Sequence, residues 1–167
     1  MKNFRIEQLS EKTLNDATKL RDKTIRGLSK LDKKTLIASL DKEHYIQSYK
    51  DNDIDEMNFW VLLDGNNVIG LTGLYSEPSD EKTSCWLGWF CVEEGYRGQG
   101  FGKQLLDFSI AQAKALHKTE LKLYTYDDIE YQNAISLYKK YGFKKYKSFR
   151  ENSNKDLYYK LKLTKEL

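Results

Sequence analysis

Residues 93–106 read EEGYRGQGFGKQLL, and this stretch decides the fold. Before it lies TSCWLGWFCV at 83–92, rich in apolar residues; after it Leu105, Leu106, Ile110, Ala113 and Leu116 recur at helical spacing. A strand therefore runs through glycines into an amphipathic helix that extends to about His117. Gly98, Gly100 and Gly102 alternate where that helix begins. The first turn of a helix presents unpaired N–H groups and the positive end of its macrodipole, and glycine lets those amides approach an anion with no Cβ in the way. Arg97 and Lys103 add charge at the rim. The same glycines also suit a plain tight turn, and their spacing alone does not separate the two readings. Counted from Gly98 and Gly100, a dinucleotide fingerprint needs glycine where Lys103 stands. A Walker loop needs one more residue between Gly98 and Gly102 and a Ser or Thr in place of Gln104. Both nucleotide readings are disfavoured.

Working outward, Cys85, Leu87, Trp89 and Cys91 share one parity and Trp86, Gly88, Phe90 and Val92 the other, so residues 83–92 form a central strand covered on both faces. Upstream, NFWVLL and VIGLTGLY flank DGNN and predict a hairpin, with the only proline, Pro78, just beyond it. At the start, FRIEQL alternates as a strand, and Thr13 precedes a helical stretch containing Leu14, Ala17, Leu20 and Leu28. A second helical stretch carries Leu36, Ile37 and Leu40, and the polar segment HYIQSYKDNDIDE at 44–56 reads as a loop. Downstream come a strand, ELKLYTY, and a helix from Asn133 through Ala134, Leu137, Tyr138 and Tyr141 with Gly142 as its C′ stop. FKKYKSFR and DLYYKLKL around ENSNK predict a closing antiparallel hairpin. This order describes one α/β domain over 1–167, a sandwich around a single mixed, mostly antiparallel sheet flanked by helices.

The chain has 167 residues, 40% of them hydrophobic, with 12 Tyr, 7 Phe and 3 Trp, enough for a continuous core. Its net charge of +3 supplies no broad field for a phosphate polymer, so nucleic acid is not the expected partner. Nowhere do the roughly 20 apolar residues of a membrane span occur, which leads us to expect a cytoplasmic protein with no membrane partner. Cys85 and Cys91 lie on one extended segment, too far apart for a disulfide, and with His44 and His117 they show no metal-ligand spacing. No metal is expected.

Two motifs carry a resemblance. Arg97, Gly100 and Gly102 give R-x-x-G-x-G in a strand-to-helix setting, and NAISLYKKYGF follows at 133–143. In this order the two are similar to the pyrophosphate motif and the N-x-x-A-x-x-L-Y-x-x-x-G-F segment of the GNAT superfamily of N-acetyltransferases. The likeness in element order covers essentially the whole chain and is weakest before Asn58. It implies acetyl-CoA as co-substrate, held by Arg97, Gly98, Gln99, Gly100, Phe101, Gly102 and Lys103. It also implies that the central strand ends in a bulge that splays it from the next strand, with Phe90 and Val92 at those positions, the pantetheine arm in the gap, and a backbone N–H near Val92 facing the thioester oxygen. Asn133 and Tyr138 would touch the cofactor, and Tyr138 would be the general acid that protonates the departing thiolate. By spacing alone, Tyr138 fits packing equally well.

The implied reaction is direct attack by the primary amine of a small molecule or peptide. Cys91, on an apolar strand with no histidine near in sequence, reads as structural. A lysine-like amine is neutral in only about one molecule per few thousand at pH 7, so proton removal needs help. The family's central-strand glutamate is missing from TSCWLGWFCV, and Glu93, Glu94, Glu77, Asp80 and Glu81 read as surface charge; no base is assigned. Thr13 to Glu56 and the turn near Pro78 are expected to flank the acceptor, with Asp51, Asp53, Asp55 and Glu56 as attractors for a polyamine, aminoglycoside or lysine side chain, or simply as solvated loop charge. A homodimer is open, as many relatives dimerise. The competing reading is a noncatalytic acyl-CoA-binding sensor or interaction domain of the same fold.

Overall fold

The hairpin expected around DGNN forms with a two-residue turn: β2 (Glu56–Asp64) and β3 (Asn67–Ser76) pair antiparallel, Asp64 opposite Asn67, and Gly65 takes φ 60° between them. In this computed structural model, which describes residues 4–25, 34–80, 82–151 and 154–163, that hairpin sits within a seven-stranded sheet. The other strands are β1 (Phe4–Gln8), β4 (Ser84–Val92), β5 (Glu120–Tyr126), β6 (Lys144–Glu151) and β7 (Asn154–Lys162). Their order across the sheet is β1-β2-β3-β4-β5-β7-β6, and every neighbouring pair is antiparallel except β4 and β5. The expected mixed, mostly antiparallel sheet is present. Residues 152 and 153 of the ENSNK turn lie outside the described residues.

One face of the sheet carries α1 (Glu11–Thr24), α2 (Thr35–Ala38) and α3 (Ile46–Asp51), whose Ala17, Leu20, Leu36 and Tyr49 share a buried cluster with Phe59, Tyr75 and Trp86. The other face carries α4 (Phe101–Ala115) and α5 (Gln132–Lys140), whose Leu106, Ala113, Ile135 and Tyr138 pack with Leu87, Leu121 and Leu123. Each helix is apolar on one stripe and a sheet offers two faces, so the two-layer cover follows. No helix among the described residues is long and apolar enough to cross a membrane.

Several local expectations need correction. α1 begins at Glu11 with Ser10 as its N-cap, not after Thr13. Thr13 is the third helical residue, and its hydroxyl accepts the Ser10 N–H at 3.1 Å, the reach-back contact of a capping box. Segment 44–56 is not all loop: Ile46–Asp51 is helical because burying Ser48 and Tyr49, at 3% exposure for the latter, outweighs a polar composition. Leu116 does not belong to the buried stripe of α4; it is 48% exposed, since the helix stops at Ala115 and His117 turns left-handed at φ 57°. Leu28 lies outside the described residues.

The two-residue period of β4 breaks where the family resemblance implies a bulge. Against β3, Leu71 faces Cys91 and Gly73 faces Gly88, so two residues of β4, Trp89 and Phe90, stand opposite Thr72 alone. This is a β-bulge, and Trp89 accommodates it with φ 47°, a conformation costly for a bulky side chain. The bulge breaks the two-residue period. Trp89 and Cys91 join Trp86 under α1, whereas Phe90 turns to the α4/α5 side with Cys85 and Leu87, so the expected parity sets hold only as far as Gly88. Two contacts hold the strained Trp89: its indole Nε1 donates to Thr35 Oγ1 at 2.7 Å, and the buried Arg21 guanidinium lies over the ring at 4.9 Å.

Candidate active site

β4 and β5 pair only from Ser84 opposite Glu120 to Trp86 opposite Lys122. Beyond that, Leu87–Val92 and Leu123–Tyr126 diverge, and a cleft opens through the sheet with about 660 Å³ of empty space including its mouth. Strand parity divides its lining by face. Leu87, Phe90, Leu123, Ala134 and Tyr138 belong to the α4/α5 side, and Ile25, Tyr75 and Trp89 to the α1 side, where Tyr124 and Tyr126 alternate away from buried Leu123 and Thr125. One opening thus connects both faces of a sheet that is otherwise closed by hydrogen bonds.

The glycine loop lies at the same end of β4. A 3₁₀ turn at Glu94–Tyr96 leads to Gly98 at φ 75° and to Gly100, the N-cap of α4, at φ 90°. Both backbones are ones that L side chains rarely adopt, and a Cβ at either would meet nothing within 4 Å. The glycines thus serve the turn and also leave the space before α4 open. Helix bonding starts with Gln104 N–H donating to the Gly100 carbonyl at 3.0 Å, which leaves the amides of Phe101, Gly102 and Lys103 ahead of the ladder. Those three N–H groups, at the positive end of a fifteen-residue helix, fit a pyrophosphate.

The named loop residues divide by role. Arg97 Nε donates to the Val92 carbonyl at 3.0 Å and fixes the loop to the end of β4, while Gln99 Nε2 donates to the Gly95 carbonyl at 3.0 Å. Phe101 is 7% exposed and packs on Phe4 at 4.6 Å between ring centroids, so only its backbone faces the loop. Lys103 pairs with Asp107 at 2.8 Å, an exposed contact held weakly enough to be exchanged for an anion. Val92 is buried with Phe101 and Leu105 and does not line the cleft, whereas Phe90 does. Asn133 is exposed in the first turn of α5, between the lining residues Tyr131 and Ala134, and is not itself part of the lining.

Tyr138 lines the cleft, with its ring 6.0 Å from Phe90 and 5.7 Å from Phe143. None of the described hydrogen bonds uses its hydroxyl, and burial pushes the phenol's pKa far above the ordinary tyrosine value. It therefore combines the packing role and an available donor. Burial likewise pushes the Cys91 thiol up to about 11 and the Cys85 thiol up to about 12, so both are protonated, weak nucleophiles at neutral pH. Among the described residues no group of three His, Cys, Asp or Glu side chains gathers as for a metal.

None of the acids expected to flank the acceptor lines the cleft. Glu56 pairs with Lys42 at 2.6 Å, Asp51 accepts from Gln47 at 2.7 Å, and neither they nor Asp53 and Asp55 line the cleft. Asp80 accepts from the Trp86 indole at 2.9 Å and pairs with Lys122, while Glu93 pairs with Lys23 at 2.5 Å. Glu81 lies outside the described residues. The reading of the sequence also missed Tyr75, Tyr124, Tyr126 and Tyr131 as lining residues, although the alternation in ELKLYTY already placed Tyr124 and Tyr126 on one face.

The splayed parallel pair and the glycine-capped helix now meet a direct comparison: a sequence model of the Acetyltransferase (GNAT) domain matches residues 55–145, more than half of the chain. The chain belongs to the GNAT acetyltransferases. Among solved structures, this GNAT chain is similar to the ribosomal-protein-S18-alanine N-acetyltransferase of Escherichia coli, at 15% identity and TM-score 0.74, with 98% of this chain and 96% of that one covered. It is similar to Ard1 from Thermoplasma volcanium at 18% identity and TM-score 0.74, covering 97% and 99%. A GNAT-family protein from Desulfovibrio desulfuricans aligns at 13% identity and TM-score 0.76, covering 97% and 100%. At these identities the likeness is one of fold. No curated protein sequence matches the chain.

Proposed function

We propose that this GNAT domain, a single unit over residues 1–167 acting in the cytoplasm, moves an acetyl group from acetyl-CoA to the primary amine of a small molecule or peptide. The observation that carries the reading is the placement of the glycine-capped start of α4 just beyond the end of β4, the strand that walls the cleft together with β5. An anionic head at Gly98–Lys103 and a thin arm in the splay would bring a thioester to Phe90 and Tyr138, on the α4/α5 side of the opening. The acceptor would approach from the α1 side.

In this reading the amine nitrogen attacks the thioester carbonyl, the new C–N bond forms, the C–S bond breaks, and the ammonium proton leaves to solvent. The loop amides and Arg97 orient the donor; unpaired ladder groups of β4 beyond Trp86 are available to the arm and to the carbonyl oxygen. The Tyr138 hydroxyl donates to the departing sulfur, which ends as a thiol. Its raised pKa makes complete transfer to a thiolate of pKa about 8.5 uphill, so its first contribution is a hydrogen bond to the developing charge.

The test is thiol release from acetyl-CoA by purified protein across a panel of amines and peptides, with CoA binding measured by calorimetry. Binding with amine-dependent release is the expected result. Binding with no release from any acceptor would favour a noncatalytic acyl-CoA sensor, and absence of CoA binding would refute the reading.

A further inference from the structure

The α1 side of the cleft contains a hydroxyl with no assigned role. Tyr75, near the end of β3, is 2% exposed, and its ring stacks on Trp86 with centroids 6.2 Å apart and planes 16° from parallel. Its Oη is buried with no hydrogen-bond partner. The other hydroxyl in that condition among the described residues is Ser48 Oγ, which does not line the cleft; Tyr75 does. Buried hydroxyls are almost always satisfied, and this one, covered from solvent within a residue that lines the cleft, gains its partner when a ligand parts the side chains over it. A phenol both donates and accepts, so an amine nitrogen suits it.

What surrounds that hydroxyl defines the rest of the ligand. Tyr124 and Tyr126 alternate onto the same side from β5, and Ile25 closes the wall from the end of α1. No charged side chain lines the cleft among the described residues; of the two carboxylates that act on the Tyr75 hydroxyl, Asp80 is held by Lys122 and the Trp86 indole, and Glu77 stands outside the lining. A second ammonium on the acceptor would be desolvated against tyrosine rings with no anion in the lining to meet it. An alkyl or aryl body is favoured there.

We propose that Tyr75 is an acceptor-binding residue whose hydroxyl holds the nitrogen of a primary amine carried on an apolar body, packed between Tyr124 and Ile25. This rests on the acetyl-transfer reading and assigns its acceptor class. It also separates the acceptor hydroxyl, on β3, from Tyr138 on the opposite face of the opening.

The test compares hexylamine with 1,5-diaminopentane, which has the same chain length with a second ammonium in place of the terminal methyl. Wild-type protein should acetylate hexylamine with a kcat/KM at least about tenfold higher. Tyr75→Phe keeps the ring and its stacking on Trp86 and removes only the unpaired oxygen. It should raise the KM for hexylamine about three- to tenfold while leaving kcat and the KM for acetyl-CoA unchanged, with a melting temperature equal to or above that of wild type because a buried unpaired oxygen is removed. Equal or better use of the diamine, or an unchanged hexylamine KM in Tyr75→Phe, would overturn the proposal while leaving acetyl transfer intact. If CoA binds and no amine is turned over, calorimetric titration of hexylamine into the CoA complex decides: weaker binding by Tyr75→Phe supports the assignment, and no binding to wild type ends it. If CoA itself does not bind, the acetyl-transfer reading has failed and this assignment falls with it.

Discussion

Replacing Tyr138 by Phe removes one oxygen from the cleft and leaves the ring against Phe90 and Phe143. Because no described hydrogen bond uses that oxygen, stability at neutral pH should stay within about 0.5 kcal/mol. The loss should appear in catalysis. A general acid that transfers its proton fully in the transition state contributes about 10²–10⁴ in rate. Here burial holds the phenol's pKa far above that of a thiol, so the loss is better measured by a hydrogen bond to a charged sulfur, about 1.5–3 kcal/mol, or roughly 10- to 150-fold in kcat. The pH profile separates this from a structural effect. The phenol remains protonated at every pH below the ordinary tyrosine value, so the rise of rate with pH belongs to the acceptor amine and should keep its midpoint in Tyr138→Phe while its height falls. The raised pKa stabilises the fold fully below about pH 10, the unfolded value, and that contribution is lost as pH climbs through the folded value, so profiles belong below pH 10. Thiol release measured from pH 6 to 9.5, with calorimetric CoA affinity alongside, gives both numbers. A kcat within threefold of wild type at unchanged affinity would refute the assignment of Tyr138.

Other substitutions test the loop, the bulge and the thiols. Gly100→Ala forces a Cβ onto a backbone at φ 90° with open space around it, so thermal or urea unfolding should show about 1–2 kcal/mol of pure backbone strain; unchanged stability and CoA affinity would mean that the loop does not need that conformation. Thr35→Val strands the Trp89 indole N–H in the core and should destabilise by about 1–3 kcal/mol, read as a lower urea midpoint at constant slope. An unchanged midpoint would show that the bulge does not depend on that bond. Native protein should react with iodoacetamide slowly at pH 8, since burial holds Cys91 at about 11 and Cys85 at about 12, and Cys91→Ala should retain turnover. Rapid labelling with parallel loss of activity would reopen Cys91 as a nucleophile.

Most of the sheet was legible because its strands obey simple periods. The hairpin at DGNN, the doubly covered β4 and the Gly142 stop of α5, at φ 86°, each rest on chemistry local to a few residues. What escaped is nonlocal. The parity of β4 fails at Trp89 because the extra residue is defined only against β3, and its support comes from Thr35 and Arg21, far away in the chain. The helix Ile46–Asp51 was hidden because the burial of Tyr49 depends on a core cluster that includes residues distant in sequence, such as Phe59 and Tyr75. The anion loop was readable as a motif, whereas the tyrosine wall was not: Tyr75, Tyr124 and Tyr131 come from three separate elements and meet only when the sheet parts.

The arrangement of the site follows from that parting. β4 and β5 are parallel, so α4, which leaves the end of β4, begins beside the same edge toward which both strands run, and the cleft opens at that edge. The glycine-capped helix start and the cleft thus lie at the same end of β4 by topology. The bulge then adds what topology alone does not. With an unbroken period, Phe90 would face α1 with Trp86 and Gly88; the extra residue sends it across to Tyr138 and puts the indole of Trp89 in its place. The strained φ at Trp89 therefore sorts the lining of the opening, giving Phe90 and Tyr138 to the α4/α5 side and the Trp89 and Tyr75 rings to the α1 side.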